Sequence, residues 1–375
     1  MPITVEAAVE AATSVLEPTV KRSLTELRMV RDISVEGDAV RLAVDLLVPS
    51  DPNAQGIERD LTAALRAAGA SSVSVTWGFR PPPRSILGDD PAPSVSNIVL
   101  VMSGKGGVGK STVATNLALG LSRLGARVGL LDADMYGPSI PTMLGVMGRP
   151  GSADGTRFLP LERFGVKLMS LGFLLEDSKQ AVIWRGPMLQ SALLQFLGQV
   201  DWGTLDYLVL DMPPGTGDIA LTIAQKTRTT GAVVVTTPQE VALQDVYKSV
   251  AMAQKLGIPL LGVVENESYF ICDGCDKRHE IFGSGGGQRI AEFAAAPLIG
   301  QIPIDPAVRQ WGDAGTPVVQ AAPDSAIAQA FLEVARKLAT QVAVHNVATG
   351  KGPQGGLVID RSGGTGKRTL PIARG

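Results

Sequence analysis

Residues 104–111 read Gly-Lys-Gly-Gly-Val-Gly-Lys-Ser, and this octapeptide constrains the fold more than any other stretch of the chain. It fits the pattern of a glycine-rich loop that cradles phosphates, a pattern that works only between a strand and a helix. Both flanks are expected here. The apolar run at 98–102 has strand length, and Val113, Leu117, Leu121 and Leu124 fall on one helical face, with Gly125 as a C-terminal stop. Gly104, Gly106, Gly107 and Gly109, with Val108 among them, let backbone amides turn inward to form an anion-binding concavity. The helix that follows adds its positive N-terminal end. Lys110 is expected to reach the β- and γ-phosphates of ATP, the Ser111 hydroxyl to take a Mg²⁺ position, and Thr112 to touch the α-phosphate.

Strand-length apolar runs recur at 128–131, 207–210, 232–235 and 260–264, mostly separated by helical stretches. Nearly continuous apolar strands alternating with helices predict an α/β fold, a mainly parallel sheet covered by helices on both faces. Two of these strands end in carboxylates. The first leads into Asp132-Ala133-Asp134, the second into Asp211 and then Met212-Pro213-Pro214-Gly215-Thr216-Gly217-Asp218. Such residues arrive at the carboxyl edge of the sheet, where open α/β sheets bind ligands. Asp211 is the candidate to hold Mg²⁺ through water, Gly215 the candidate for a γ-phosphate switch. Asp132 and Asp218 fit loop-capping roles as well as functional ones.

With 375 residues, the chain predicts more than one domain. Residues 1–80 read as a small α+β unit, with a helix over 4–15, a hairpin from 33 to 46, a helix over 56–68 and a strand at 73–75. Residues 81–96, with Pro81-Pro82-Pro83 and Gly88-Asp89-Asp90-Pro91-Ala92-Pro93, have linker composition. The phosphate-loop domain takes 97–345, and the Gly-rich residues 346–375 read as a flexible tail. A net charge of −2 gives no field that draws the chain to nucleic acid or an anionic membrane. No run of about 18 apolar residues suggests a membrane span, and the N-terminus lacks a signal-peptide pattern.

Cys272 and Cys275 are the chain's only cysteines. They are too close together to staple a fold, and with a cytoplasmic location expected they suit metal or redox chemistry. A CxxC pair fits a redox site, half a zinc site or a cluster ligand. Zinc needs four ligands, and Cys272, Cys275 and His279 supply three. A [4Fe–4S] cluster takes four thiolates, which two copies about a two-fold axis would provide.

The second lysine, Lys105, marks the deviant Walker A pattern and resembles the dimeric ATPases that include nitrogenase iron protein, MinD and ParA. That resemblance implies a homodimer in which Lys105 reaches the partner's nucleotide and Asp134 orients the attacking water. From 97 to 320 the chain resembles the Mrp/ApbC family of iron–sulfur cluster carrier ATPases. The shared series is 104–112, 132–139, Trp184-Arg185-Gly186-Pro187-Met188, 211–218, Val264-Glu265-Asn266 through Ser268-Tyr269-Phe270 to the cysteines, Ile281-Phe282-Gly283, and Ile302-Pro303-Ile304-Asp305-Pro306. The resemblance implies ATP hydrolysis of low turnover, and a [4Fe–4S] cluster bridging Cys272 and Cys275 of two chains. It further implies apo iron–sulfur proteins and assembly scaffolds as partners, and Asn266 at the adenine edge. Residues 1–80 resemble the small iron–sulfur assembly domain fused ahead of such ATPases. They depart from it at Pro49-Ser50-Asp51-Pro52, which lacks the cysteine many members carry. Two rivals share the nucleotide loop. One is a positioning ATPase of the MinD/ParA kind, which has no need of CxxC. The other is an ATPase dimer with a structural zinc clip.

Overall fold

The apolar runs form an eight-stranded sheet. Its order is Leu161–Arg163, Val166–Ser170, Val128–Asp132, Leu205–Asp211, Val95–Ser103, Gly231–Thr236, Leu260–Glu265 and Leu298–Gln301. All neighbours are parallel except the outermost pair, Leu161–Arg163 against Val166–Ser170. The computed structural model describes residues 3–86, 88–134, 137–152, 155–174, 186–215, 218–350, 358–359 and 368–369. The chain divides into one unit of Met1–Pro83 with Ala343–Gly375 and a second of Arg84–Val342.

Strand Val95–Ser103 is buried on both faces from Ile98 onward, as an inner strand of a covered parallel sheet must be. Leu205–Asp211 lies on one side of it and Gly231–Thr236 on the other. This strand connects onward to Val128–Asp132 on one side, while its neighbour Leu205–Asp211 connects to Gly231–Thr236 on the other, which makes the carboxyl end between the two a topological switch point, the place where such sheets open a crevice. The helix after it, Lys110–Arg123, buries Val113, Ala114, Leu117, Ala118 and Leu121, a wider apolar surface than a single stripe. Gly125 follows at φ +104, the left-handed conformation that ends many helices.

In the first unit, helix Val5–Ser14 is capped by the Thr4 hydroxyl, which accepts from the Ala7 N–H at 3.2 Å. Strands Val30–Glu36 and Ala39–Leu46 pair as an antiparallel hairpin, and Ser72–Phe79 lies parallel to the second. The intervening helix Ala54–Ala67 buries Ile57, Leu61 and Leu65 at i, i+4 and i+8. These elements match the helix–hairpin–helix–strand pattern read from the sequence.

Two expected boundaries look different in the structure. The segment after the prolines is fastened to the second unit. Arg84, 1% exposed, grips Asp90 with both guanidinium nitrogens, donates to the Ala92 carbonyl at 2.8 Å and to the Arg228 carbonyl at 3.3 Å. Linker composition describes residues 81–83 better than 84–96, because a buried ion pair supplies order that proline content does not reveal. At the other end, helix Ala326–Ala348 runs past 345, and short strands Val358–Ile359 and Arg368–Thr369 extend the first unit's sheet at Val30–Glu36. Of the Gly-rich tail expected at 346–375, residues 351–357, 360–367 and 370–375 lie outside the described residues.

Candidate functional site

Each glycine of the loop at 104–109 that the structure constrains has a local reason. A Cβ on Gly104 would stand 2.3 Å from the Val246 nitrogen, so the loop's first residue sits against the backbone of helix Glu240–Lys255. Gly107 and Gly109 have φ of +80 and +76, a region other residues enter at a cost. A Cβ on Gly109 would also stand 2.2 Å from Nδ2 of Asn266. The loop and its surroundings enclose a cavity of about 280 Å³, lined by Lys105, Gly106, Gly107, Ser111, Asp134 and Pro214 among others.

Lys110 is buried at the base of this cavity. Its Nζ lies 2.6 Å from Asp211 Oδ1, 3.4 Å from Asp134 Oδ2 and 3.3 Å from Ser111 Oγ. The strand register makes this possible, since Asp211 pairs with Val101 on one side and Asp132 on the other. Asp211 is fully buried, and among the described residues its second oxygen has no hydrogen-bond partner. Burial pushes its carboxyl above the ordinary range, against the pull of the Lys110 charge. Asp132 supports its neighbour. Its Oδ1 accepts from the Asp134 N–H at 3.1 Å and its Oδ2 from the Ser170 hydroxyl at 3.0 Å. Burial, with the Asp211 charge added, raises Asp132 to about 8. The Gly215 N–H donates to the Ser103 carbonyl at 3.0 Å, and its φ is +92. Thr216, Gly217, Met135, Tyr136, Trp184 and Arg185 lie outside the described residues, as does the Asp218 side chain. Lys105 is half-buried and, among the described residues, holds no ion pair.

A second cavity of about 530 Å³ meets the first at Gly109 and Thr112. Its walls include Met143, Asn266, Glu267, Pro303, Ile304 and Arg309. An anion cradle opening into a larger, partly apolar chamber has the shape a nucleotide needs, phosphates at one end and base at the other. Asn266 sits where the two meet, its Nδ2 donating to the Val108 carbonyl at 3.0 Å. Pro303, Ile304 and Arg309 had no role in the sequence reading. For Pro303 and Ile304 the signal was the stretch at 302–306, which carried a resemblance but no assigned chemistry; Arg309 had no such signal.

The cysteines lie on a small hairpin whose strands are Phe270–Ile271 and Arg278–His279. Cys275 is exposed and Cys272 half-buried. The Gly274 N–H, with Cys275 behind it, lowers the Cys272 thiol below its usual range. Exposed Ile271, Ile281 and Phe282 flank the turn. Among the described residues, no three His, Cys, Asp or Glu side chains gather as a metal site, so His279 does not complete a three-ligand set with the cysteines.

A family model described as the NUBPL iron-transfer P-loop NTPase matches residues 94–339, and one described as an iron–sulfur cluster assembly protein matches 6–77. The chain belongs to the iron-transfer P-loop NTPases. The iron–sulfur cluster carrier protein of Synechocystis sp. is 43% identical over 349 residues, 91% of this chain and 99% of that one. The carrier of Aquifex aeolicus is 53% identical over 67% of this chain and 69% of its own. Escherichia coli has one at 44%, over 87% and 89%. Among solved structures, a nucleotide-binding protein of Archaeoglobus fulgidus in complex with ADP is 41% identical. Its TM-score is 0.53, and the match covers 59% of this chain and 87% of that one. The chain is thus a P-loop NTPase of an iron–sulfur carrier family, with an assembly-type domain ahead of it. No helix among the described residues of this NTPase is long and apolar enough to cross a membrane.

Proposed function

We propose that this NTPase binds and hydrolyses ATP slowly, and that the nucleotide controls a [4Fe–4S] cluster carried between Cys272 and Cys275 of two copies and passed to apo-proteins. The observation that carries this reading is the short covalent path from nucleotide cavity to thiols. Asn266 touches the phosphate loop at Val108, and the same segment continues through Phe270, bridged to Ile304 of the base cavity, into Cys272.

The chain's own groups divide the work. Backbone amides at 106–111 and the helix N-terminus receive the phosphates. Lys110 moves from Asp211 to the β- and γ-phosphates, and a Mg²⁺ bound beside Asp211 would replace the charge that this buried carboxylate gives up. Ser111 Oγ and the unpartnered Asp211 oxygen fit a Mg²⁺ shell, and Mg²⁺ bound there would neutralise phosphate charge. Asp134, held by Asp132, orients the attacking water, and Lys105 reaches the partner's nucleotide. Asn266 reads the adenine edge. The two thiols, one exposed and one half-buried, hold the cluster as cargo, and two of them per chain suit a site shared by two chains.

Anaerobic reconstitution with iron and sulfide tests the carrier reading. Wild type is expected to take up about two iron and two sulfide per chain, half a four-thiolate cluster each, and Cys272→Ser or Cys275→Ser to take up none stably. Uptake that survives both serine variants, or a wild type that loads only zinc, would sink it.

A further inference from the structure

Glu265 ends strand Leu260–Glu265 and is fully buried. Its oxygens meet donors. Ser268 Oγ at 2.5 Å and Gln301 Nε2 at 2.8 Å bind Oε1, and the Gly287 N–H binds Oε2. Among the described residues no Lys, Arg or His pairs with it. A buried carboxylate without a counter-ion is destabilising relative to an apolar side chain of similar size, so its place here calls for a reason beyond packing.

The three donors come from segments with distinct roles. Ser268 precedes strand Phe270–Ile271, which leads into Cys272. Gly287 stands in the first turn of helix Gly286–Ala294, where the chain returns from the cysteine hairpin. Gln301 ends the strand that leads to Pro303 and Ile304 in the base cavity. Further bonds bind the same region, from Ser268 N to the Ile302 carbonyl at 2.9 Å and from Ile304 N to the Tyr269 carbonyl at 2.6 Å. Glu267, at φ +52, turns the chain between Asn266 on the phosphate loop and Ser268 on Glu265. Gly287 fits only because it lacks a side chain, since a Cβ there would stand 2.7 Å from the Glu265 Cβ.

We propose that Glu265 is a positioning residue that couples the nucleotide cavity to the Cys272–Cys275 turn, by tying both ends of the cysteine segment and the base-cavity wall to one carboxylate. This rests on the nucleotide reading above and deepens it. A nucleotide that displaces Asn266 or Ile304 moves Ser268 and Gly287 together, because both share one anchor. Glutamine at 265 replaces an acceptor oxygen by a donor, so one of the ties goes slack while the side-chain volume stays the same.

The test uses the full chain without cluster. Cys272 and Cys275 are its only cysteines, so a thiol reagent such as iodoacetamide reports on this turn alone. In wild type, Mg-ADP or a non-hydrolysable Mg-ATP analogue is expected to change the labelling rate by about fivefold, the lower end of ordinary site-to-site coupling. In Glu265→Gln that ratio is expected to fall below about twofold, with Mg-ADP affinity within about threefold of wild type. Ser268→Ala removes a single tie and is expected to fall between. A purely structural role would lower the melting temperature and shift both labelling rates alike, leaving the ratio intact. A folded Glu265→Gln with the full ratio overturns the proposal, as does a wild type with no nucleotide effect. If Glu265→Gln does not fold, an undiminished ratio in Ser268→Ala overturns it. The assay needs neither iron nor sulfide, so failed cluster uptake beside an intact labelling ratio would sink the carrier reading and leave this coupling standing.

Discussion

At the scale of single residues, Asp132 shows how the site trades stability for arrangement. It is buried, its oxygens are taken by the Asp134 N–H and Ser170, and its carboxyl is raised from 3.8 to about 8. The folded chain therefore binds a proton that the unfolded chain gives up near 3.8. Its contribution to stability is full below that value and is lost as pH rises toward about 8. The ligand-free protein is expected to melt at lower temperature near pH 8 than near pH 5, with a slope of up to about 1.4 kcal/mol per pH unit from this group. Asp132→Asn, which has no proton to lose, should flatten the decline in a series of thermal melts; an unchanged slope would assign the effect elsewhere. Asn266 makes a separate point. Asn266→Ala loses the bond to the Val108 carbonyl and a wall of the base cavity. Mg-ADP affinity should fall about fivefold to tenfold by titration calorimetry, the worth of one ordinary buried hydrogen bond. The loop glycines, Lys110 and Asp211 were legible from sequence because their spacing is local or set by a strand end. Asp132 could be read as a loop-capping carboxylate, and its bond to the Asp134 N–H is of that kind, but its partner Ser170 could not be read, because the neighbouring strand brings it there.

At the scale of elements, the strand, loop and helix at 95–123 could be read directly, since periodicity and motif agreed. The base cavity could not. Its walls come from 266–267 and 303–313, which meet because strand Leu298–Gln301 docks beside Leu260–Glu265. Pairing between strands leaves no mark in local spacing. The burial of the segment after the prolines leaves no local mark for a similar reason. Arg84 and Asp90 lie within a proline- and glycine-rich stretch, yet both are 1% exposed and paired. Arg84→Ala would leave a carboxylate buried without its cation, and removing one partner of such a pair costs about 3–5 kcal/mol. Chemical denaturation should show that loss. A change under about 1 kcal/mol would mean the clasp is no better than a surface pair. Gly104 belongs to this scale too, because its neighbour is the backbone of a helix that has no side chain to swing aside. Gly104→Ala is expected to destabilise the fold by about 1–3 kcal/mol, as overpacking does, and to weaken nucleotide binding with it.

At the scale of the whole molecule, the proposed assembly makes Lys105 and Lys110 separable in a way that one chain does not. Lys110 serves the loop it stands in, where it already meets Asp211. Lys105, half-buried and unpaired among the described residues, would serve the partner's loop. Lys110→Ala is expected to abolish hydrolysis, and Lys105→Ala to depress it strongly while nucleotide still binds. Mixing the two variants then becomes informative. In a mixed dimer, the chain with Lys105→Ala keeps its own Lys110 and borrows Lys105 from its partner, so one of the two sites is whole. Random exchange at equal amounts makes half the dimers mixed, and about a quarter of all sites should recover. A steady-state phosphate-release assay on the mixture reads this directly. Recovery near a quarter of wild type would support a nucleotide site completed across two chains, and the same exchange would pair the thiols of two copies. A mixture no more active than the average of its parts would place Lys105 in its own chain's site and remove the nucleotide argument for the dimer. The four-thiolate count at Cys272 and Cys275 would then be its remaining support.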